Sequence, residues 1–474
     1  MPDILLVTIN AKWIHPSLAL RLLKANLGNL EDNCEILEFA LRQPLKEKLE
    51  PILAARPRLL ALSVSIWNHT ATLELLGALE EVWRGSGQGQ KPLVVLGGPE
   101  VSWLPEDAEI FRHADYVIRG EGEGSFCSLC DGVFSGKRQA EKFINSGDTT
   151  VDVNGIASPY RLYTEEDLRR KLVYVEASRG CPFGCEFCQA SVRKQASIGQ
   201  RVREFPLEAF LADMGALIEK GARQFKFLDR TFNLDMERAQ RIMEFFLDHI
   251  CALGEEDRLC VHFEMVPSRF PPELRELIRR FPPGSLRLEL GIQTFNSQTA
   301  VLIHRSGDAA GALEILEFLS SETGAIVHAD LIAGLPGEDL ASFGAGFDRL
   351  WRALHGSPSR SEIQLGILKC LPGTPIVRHN EEYGMKYSAV PPYEVIESSA
   401  LSAAELGRIK NFARFWETIV NRNPFPGLIS RILPRGEPSF GRFMALSDRL
   451  LENFGRNWGI DRKELETYLE SYVP

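Results

Sequence analysis

The sequence predicts an α/β chain: an N-terminal doubly wound parallel sheet, then a partial (βα)6 barrel, then a helical C-terminal region. Over residues 1–135, continuous β-branched apolar runs alternate with amphipathic stretches, the pattern of a parallel sheet covered by helices on both faces. Six more strand-and-helix units lie between 171 and 379, too many for half a sheet and suited to an open barrel. Beyond 380 the apolar spacing turns helical and stays so to residue 474.

In the first region the strand candidates are ILLVTI (4–9), CEILEF (34–39), LLALSVSI (59–66), PLVVLGG (92–98) and DYVIRG (115–120). Helical spacing fits SLALRLLKANLGNL, TATLELLGALEEVW and GSFCSLCDGVF. In such sheets ligands bind beyond the carboxyl ends of the strands. The chain places NAKWIH, SIWNHT, GGPEVS and RGEGEG there. Three of these loops are rich in glycine or small polar groups, so backbone can approach a bulky ligand.

Residues 136–170 lose the periodicity, are polar with Gly and Pro, and read as a linker. The barrel strands are expected at KLVYVEAS (171–178), QFKFLD (224–229), LCVHFEMV (259–266), LRLELGIQ (286–293), AIVHADLI (325–332) and EIQLGILK (362–369). Helix-like segments such as PLEAFLADMGALIEKG and DMERAQRIMEFFLDHI separate them. The active face of a barrel is again the carboxyl end. The clearest late helix is SSALSAAELGRIKNFARFWETIVN. The expected regions are therefore 1–135, 136–170, 171–379 and 380–474.

With 474 residues, 44% hydrophobic and 25% charged, the chain can bury an ordinary core without disulfide staples. It holds no run of eighteen uncharged apolar residues, so a membrane-spanning helix is not expected. The opening MPDILLVTIN has no basic leader or small-residue cleavage site and reads as a first strand. A cytoplasmic location follows as the expectation. There, thiols stay reduced and clustered cysteines point to metal or catalysis. The net charge of −10 argues against an extended nucleic-acid surface, because phosphates call for clustered Lys and Arg.

Three of the nine cysteines fall in EASRGCPFGCEFCQAS (176–191), as Cys181-x3-Cys185-x2-Cys188. Three thiolates on one loop can reach three irons of one cubane cluster and leave the fourth iron open. Gly180, Pro182 and Gly184 let the loop curl, and Phe187 offers a ring. A zinc site wants a fourth ligand, which no nearby His or Cys supplies. The loop after the first barrel strand resembles that of the radical S-adenosylmethionine (SAM) superfamily. The resemblance implies a [4Fe-4S] cluster held by Cys181, Cys185 and Cys188, with SAM on the open iron. It also implies SAM contacts from Phe187, from Asp229 in FLDRTFN, from Glu289 and Gln293 in LELGIQTFN, and from Gly334 and Pro336 in DLIAGLPGED. Glu289 has another reading, a buried acid paired with Arg287 or Arg269. The family's Gly-Gly-Glu after the second strand is absent; LDRTF stands there.

A doubly wound domain ahead of such a barrel resembles the cobalamin-binding (class B) branch of the family, with a Rossmann-like N-terminal domain. This implies corrinoid contacts from Ser63, Ser65 and Trp67 after the third strand. Gly97, Gly98 and Glu100 would contribute after the fourth, and Gly120, Glu121 and Gly122 after the fifth. The glycines would give the ring clearance, while Ser63 and Ser65 would bond its nucleotide tail. The Asp-x-His-x-x-Gly cobalt-ligand motif is missing. His15 sits in the right loop but reads better as a packing or capping residue. Trp13 and Trp67 are candidates to flank the ring, with core packing as the competing role. Cys127 and Cys130, three apart on one helix, read as core thiols. Cys370, at the end of the sixth strand, is a catalytic candidate.

The resemblance implies a cobalamin-dependent radical SAM enzyme. The expected activity is methyl transfer to an unactivated carbon, or a phosphinate phosphorus, of a small molecule through a 5′-deoxyadenosyl radical and methylcobalamin. Cyclisation or rearrangement without methyl transfer is the alternative, and a non-catalytic corrinoid or redox sensor a third reading. Flavodoxin or ferredoxin is the implied reductant. The C-terminal region is expected to cap the barrel mouth and select the substrate.

Overall fold

The computed structural model describes residues 2–85, 91–137, 139–146, 151–191, 202–253, 257–305, 307–354, 361–434 and 436–472. Two units can be distinguished: Met1–Arg179 with Val202–Leu228, and Gly180–Arg201 with Asp229–Pro474.

The first unit is built on a six-stranded parallel sheet. Its strands are β1 (Ile4–Asn10), β2 (Cys34–Ala40), β3 (Leu59–Ser63), β4 (Leu93–Gly97), β5 (Tyr116–Arg119) and β6 (Phe143–Asn145). They lie in the order β2-β1-β3-β4-β5-β6. All seven residues of β1 are buried, because helices cover both faces. Leu5, Val7 and Ile9 pack on one side with Ile52 of α2 (Leu45–Ala55) and Leu75, Leu76 and Leu79 of α3 (His69–Gly85). Ile4 and Leu6 pack on the other with Leu20 of α1 (Leu18–Ala25) and Phe126 and Leu129 of α4 (Glu123–Phe134). Helix α1 starts where the Ser17 side chain accepts from Leu20 N. Cys130 is fully buried in this second layer, and burial pushes its thiol well above the ordinary range.

Helix α2 carries Pro51 in its interior, which weakens its helical signature in the sequence. Residues 136–170, expected to be a linker, contain β6 and α5 (Glu165–Arg170). β6 is only three residues long, and α5 is started by a Thr164–Asp167 capping box rather than by apolar periodicity. The unit also holds the first two barrel strands, β7 (Val173–Val175) and β10 (Gln224–Phe227), which pair in parallel. Between them in sequence lie β8 (Ser178–Arg179), β9 (Arg203–Glu204) and α6 (Leu207–Glu219), with β8 and β9 antiparallel.

In the second unit, β11 (Cys260–Met265), β12 (Leu286–Gln293), β13 (Ile326–Ala333) and β14 (Ser361–Ile367) form a parallel set in that order. These are the third to sixth barrel strands anticipated from the sequence. Helix α7 (Met236–Ala252) precedes β11, and α8 (Pro272–Arg279), α9 (Ser297–Leu302), α10 (Ala309–Glu322) and α11 (Leu340–Leu354) run between the strands. Burial alternates strictly along β12, so Arg287, Glu289, Gly291 and Gln293 share one face. Past β14 come a short hairpin, β15 (Lys386–Tyr387) with β16 (Val395–Glu397), and the helices α12 (Ala403–Trp416), α13 (Pro426–Ile432), α14 (Phe440–Phe454) and α15 (Arg462–Tyr472). Phe412, Trp416, Phe440 and Phe443 join α12 to α14, with Phe347 of α11 packed edge-on to Trp416 at 4.7 Å. Among the described residues no helix is long and apolar enough to cross a membrane.

Candidate cofactor sites

The cysteine segment opens at Gly180, whose φ of +113° is left-handed backbone that suits glycine. Cys188 N donates to Cys185 O at 3.1 Å, curling the loop between the second and third thiols. Cys185 is buried, while Cys181, Phe187 and Cys188 are partly exposed. Burial, joined by the charges of the neighbouring cysteines, lifts the Cys181 and Cys188 thiols above the usual range, and Arg230 opposes this at both. Arg305 donates to Cys185 Sγ at 3.5 Å. Three mutually close thiols faced by two guanidinium groups fit an anionic cluster, because nearby cations favour thiolates. Among the described residues no three His, Cys, Asp or Glu converge as ligands of a single ion. Ligands of separate irons have no need to converge on one point.

Glu186, inside the motif, carries no signal of its own in the sequence. It is 1% exposed, with His304 Nδ1 at 3.1 Å from Oε1, His379 Nε2 at 3.2 Å from Oε2, and the Arg378 guanidinium against Oε1. Its main chain is held as well: Glu186 N donates to Ile303 O, and Ile376 N donates to Glu186 O. Glu186 thus anchors the cysteine loop to two distant segments. Only the successions IHR and VRH, basic groups far along the chain, hint at it.

The other SAM candidates gather at the carboxyl ends of the strands. Asp229, just beyond β10, is 2% exposed. Glu289 meets His262 Nε2 at 3.2 Å, a partner from the neighbouring strand. Gln293 closes β12 with a φ of +70°, beside a register shift at Gly291. A non-glycine residue held there is strained, and such strain concentrates at functional sites. Its amide folds back over Gly291, where a Cβ would meet Gln293 Nε2 at 2.4 Å. Gly334 has a φ of +85°, and a Cβ there would strike Val395 of β16 at 2.5 Å. Pro336 is buried, and its carbonyl accepts from Thr299 Oγ1 at 3.2 Å. Glu338, two residues on, is 1% exposed, accepts from Thr294 Oγ1 at 2.7 Å, and is pushed by burial up to about 7. Cys370 follows β14, with burial lifting its thiol; Tyr387 beside it is raised by burial and then by Cys370.

In the first unit, the strand order reverses between β1 and β3, and ligands of such sheets sit at that switch point. There the loop after β3 is organised by Asn68, 0% exposed and not anticipated from the sequence. Its Oδ1 takes Ser65 N at 2.7 Å, and its amide donates to Ile9 O and Ser63 O. This leaves Trp67 51% exposed at the strand ends, tethered by Nε1 to Ile9 O, with Trp13 48% exposed in the loop after β1. Two exposed indoles at a switch point fit a flat, largely apolar macrocycle. Trp13 also stacks on Lys171 at 5.2 Å. His15 bonds Tyr174 Oη at 2.9 Å, and burial, then Lys12 and Lys226, lowers its pKa, in keeping with the packing role.

Ser63 ends β3 and Ser65 is 6% exposed. Gly97 is the last residue of β4, its nearest neighbour for a Cβ being Ile118 O at 3.8 Å. At Gly98 a Cβ would lie 2.5 Å from Val64 O, so this glycine lets two loops touch. Gly120 N donates to Ser102 Oγ, and Gly122 packs on Leu23. Glu100, 1% exposed, meets His69 Nδ1 at 3.0 Å. Glu121 turns to Arg179 and Arg203.

Family models agree with both halves. A model described as the radical SAM superfamily matches residues 175–349, and one described as the B12 binding domain matches 4–129. The chain is a radical SAM protein. Within that superfamily it belongs to the cobalamin-binding branch, which the two models define together. Residues 381–472 match a model described as a protein of unknown function, DUF4080. An uncharacterized methyltransferase of Pyrococcus horikoshii is 32% identical over 164 residues, covering 31% of this chain and 35% of that protein. The chain therefore spans about a third of that relative's length. Among solved structures, the radical SAM methyltransferase TsrM of Kitasatospora setae, with tryptophan and a SAM analogue bound, has a TM-score of 0.61 at 18% identity. It covers 82% of this chain and 79% of its own. The cobalamin-dependent SAM radical enzyme OxsB, with aqua-cobalamin and SAM bound, has a TM-score of 0.64 at 14% identity, covering 100% and 75%. Both likenesses are of fold.

Proposed function

We propose that the protein is a cobalamin-dependent radical SAM methyltransferase acting on an unactivated carbon, or a phosphinate phosphorus, of a small molecule. The observation that carries this reading is the loop of three thiols faced by Arg230 and Arg305, in a chain that also presents exposed indoles at the switch point of a B12-type domain.

The chemistry the bound groups supply is one-electron cleavage of a carbon–sulfur bond of SAM and carriage of a methyl group. Cys181, Cys185 and Cys188 hold the [4Fe-4S] cluster, and Glu186 with Arg305 orients their loop. Phe187, Asp229, Glu289, Gln293 and the turn at Gly334 and Pro336 orient SAM. Ser63, Ser65, Trp67 and the backbone around Gly97, Gly98 and Gly120 receive the corrinoid. Residues 1–135 form the corrinoid domain, 171–379 the SAM barrel, and 380–474 the region that selects substrate. Cys370, with Tyr387 beside it, stands at the carboxyl end of β14, where it can meet a reacting substrate. The acidic net charge supports a small molecule over RNA, and a flavodoxin or ferredoxin suits as electron donor. Reduced thiols and the lack of a spanning helix among the described residues support a cytoplasmic setting.

The test is anaerobic reconstitution with iron, sulfide and hydroxocobalamin, followed by incubation with methyl-labelled SAM and a reductant. We expect one SAM to give 5′-deoxyadenosine and labelled methionine, and a second to give S-adenosylhomocysteine with its labelled methyl passed to the corrinoid. Absence of both products from protein with a full cluster would refute the reading, and label confined to methionine, with no S-adenosylhomocysteine formed, would assign rearrangement instead.

A further inference from the structure

The cysteine segment emerges from the two-residue ribbon of β8 and β9, in which Arg179 and Arg203 stand directly opposite each other. Like charges facing across an antiparallel pair destabilise it, and so short a ribbon is marginal by itself. Here both guanidinium groups converge on one carboxylate. Glu121 receives Arg203 Nη1 at 2.9 Å on Oε2 and Nη2 on Oε1, while Arg179 Nη1 lies 3.5 Å from Oε2. Arg179 also takes Glu123 at 2.9 Å and grips Glu176 with two 2.9 Å bonds. The side chains are 9–19% exposed, so solvent screens the repulsion poorly. All of these residues belong to the first unit.

Glu121 and Glu123 come from the RGEGEG loop after β5, next to Gly120 and Gly122. The acids that neutralise the ribbon thus sit on the loop that the corrinoid reading assigns to the cofactor. Glu123 Oε2 is buried without a hydrogen-bond partner among the described residues, while its Oε1 meets Arg179.

We propose that Arg179, Arg203, Glu121 and Glu123 are positioning residues of the cluster segment: the acidic loop holds shut the ribbon from which the three cysteines emerge. A corrinoid that immobilises this loop therefore also steadies the cluster. The coupling to the corrinoid rests on the function proposed above; the positioning role does not. Coupling of this kind is reciprocal.

The experiment follows iron release to a ferrous chelator from the anaerobically reconstituted full-length protein. Glu121→Gln is expected to release iron about five-fold or more faster than wild type. In an Arg203→Gln background, where the like-charge pair is gone, the same substitution should change little. Release at the wild-type rate would overturn the proposal, as would an equal acceleration in both backgrounds, which marks a merely local role. Should Glu121→Gln fail to fold, as read by far-ultraviolet circular dichroism, Glu121→Asp, which keeps the charge and shortens its reach, is judged by the same two criteria. Hydroxocobalamin, its binding followed by absorbance, should slow iron release from wild type and not from Glu121→Gln. Binding without that protection overturns the coupling. No binding to wild type removes both the corrinoid reading and the coupling, and leaves the ribbon result to stand or fall by itself.

Discussion

Arg305 donates through one guanidinium nitrogen to Cys185 Sγ at 3.5 Å and through another to Gly291 O at 2.6 Å. One side chain thereby ties Cys185, a proposed cluster ligand, to the strand β12 that carries Glu289 and Gln293. Hydrogen bonds to cluster sulfurs stabilise the reduced, more negative state. Arg305→Leu should therefore shift the midpoint potential of the cluster to more negative values, with Arg305→Lys restoring part of the shift. An electron paramagnetic resonance redox titration measures it, and an unchanged potential would show that the contact does not tune the cluster.

The anchoring of Glu186 yields a second expectation. Glu186→Ala removes the partner of His304, Arg378 and His379 and frees the loop between Cys185 and Cys188. Outer residues that orient metal ligands typically carry about 10–100-fold in metal affinity. Iron per chain after reconstitution and desalting should fall accordingly, while Glu186→Asp keeps part of the iron. Full iron loading of the alanine variant would contradict the assignment.

Gly98 tests the first unit. Its φ of +108° disfavours a side chain, and a Cβ would press on Val64 O at 2.5 Å. Gly98→Ala should cost about 1–3 kcal/mol of stability and separate the loops after β3 and β4. Hydroxocobalamin titration should show weakened binding, with the iron content little changed.

The buried acid Glu338 makes a pH-dependent prediction. Burial raises it from the ordinary 4.5 to about 7, against the hydrogen bonds from Thr294 and Ser342. The folded state therefore holds this proton more tightly than the unfolded chain. The stabilisation is full below about pH 4.5 and is lost as pH climbs through 7. Glu338→Gln should flatten that part of the stability profile and raise stability at pH 8 by about 1–3 kcal/mol. Denaturant melts at pH 5 and pH 8 provide the comparison; a variant with the parent's pH slope would show that Glu338 does not titrate in this range.

Much of this molecule is legible in the chain because its signals are local. Parallel strands buried on both faces write themselves as unbroken apolar runs, which is why β1, β3 and β4 stand out in the amino-acid order alone. The spacing of Cys181, Cys185 and Cys188 is likewise a covalent fact of one loop. Helix α2 and strand β6 escape, the first because Pro51 breaks its pattern and the second because three residues carry no period.

The amino-acid order carries the succession of the elements and the local chemistry of the cysteine loop. Tertiary structure alone decided which charges share a buried volume. Glu186 finds His304, Arg378 and His379 from more than a hundred residues away, and Glu121 meets both Arg179 and Arg203. The reason is physical: periodicity records which face of an element is apolar. The strength of a pair of charges depends on distance and on exclusion of water, and both exist only once the chain has closed around them.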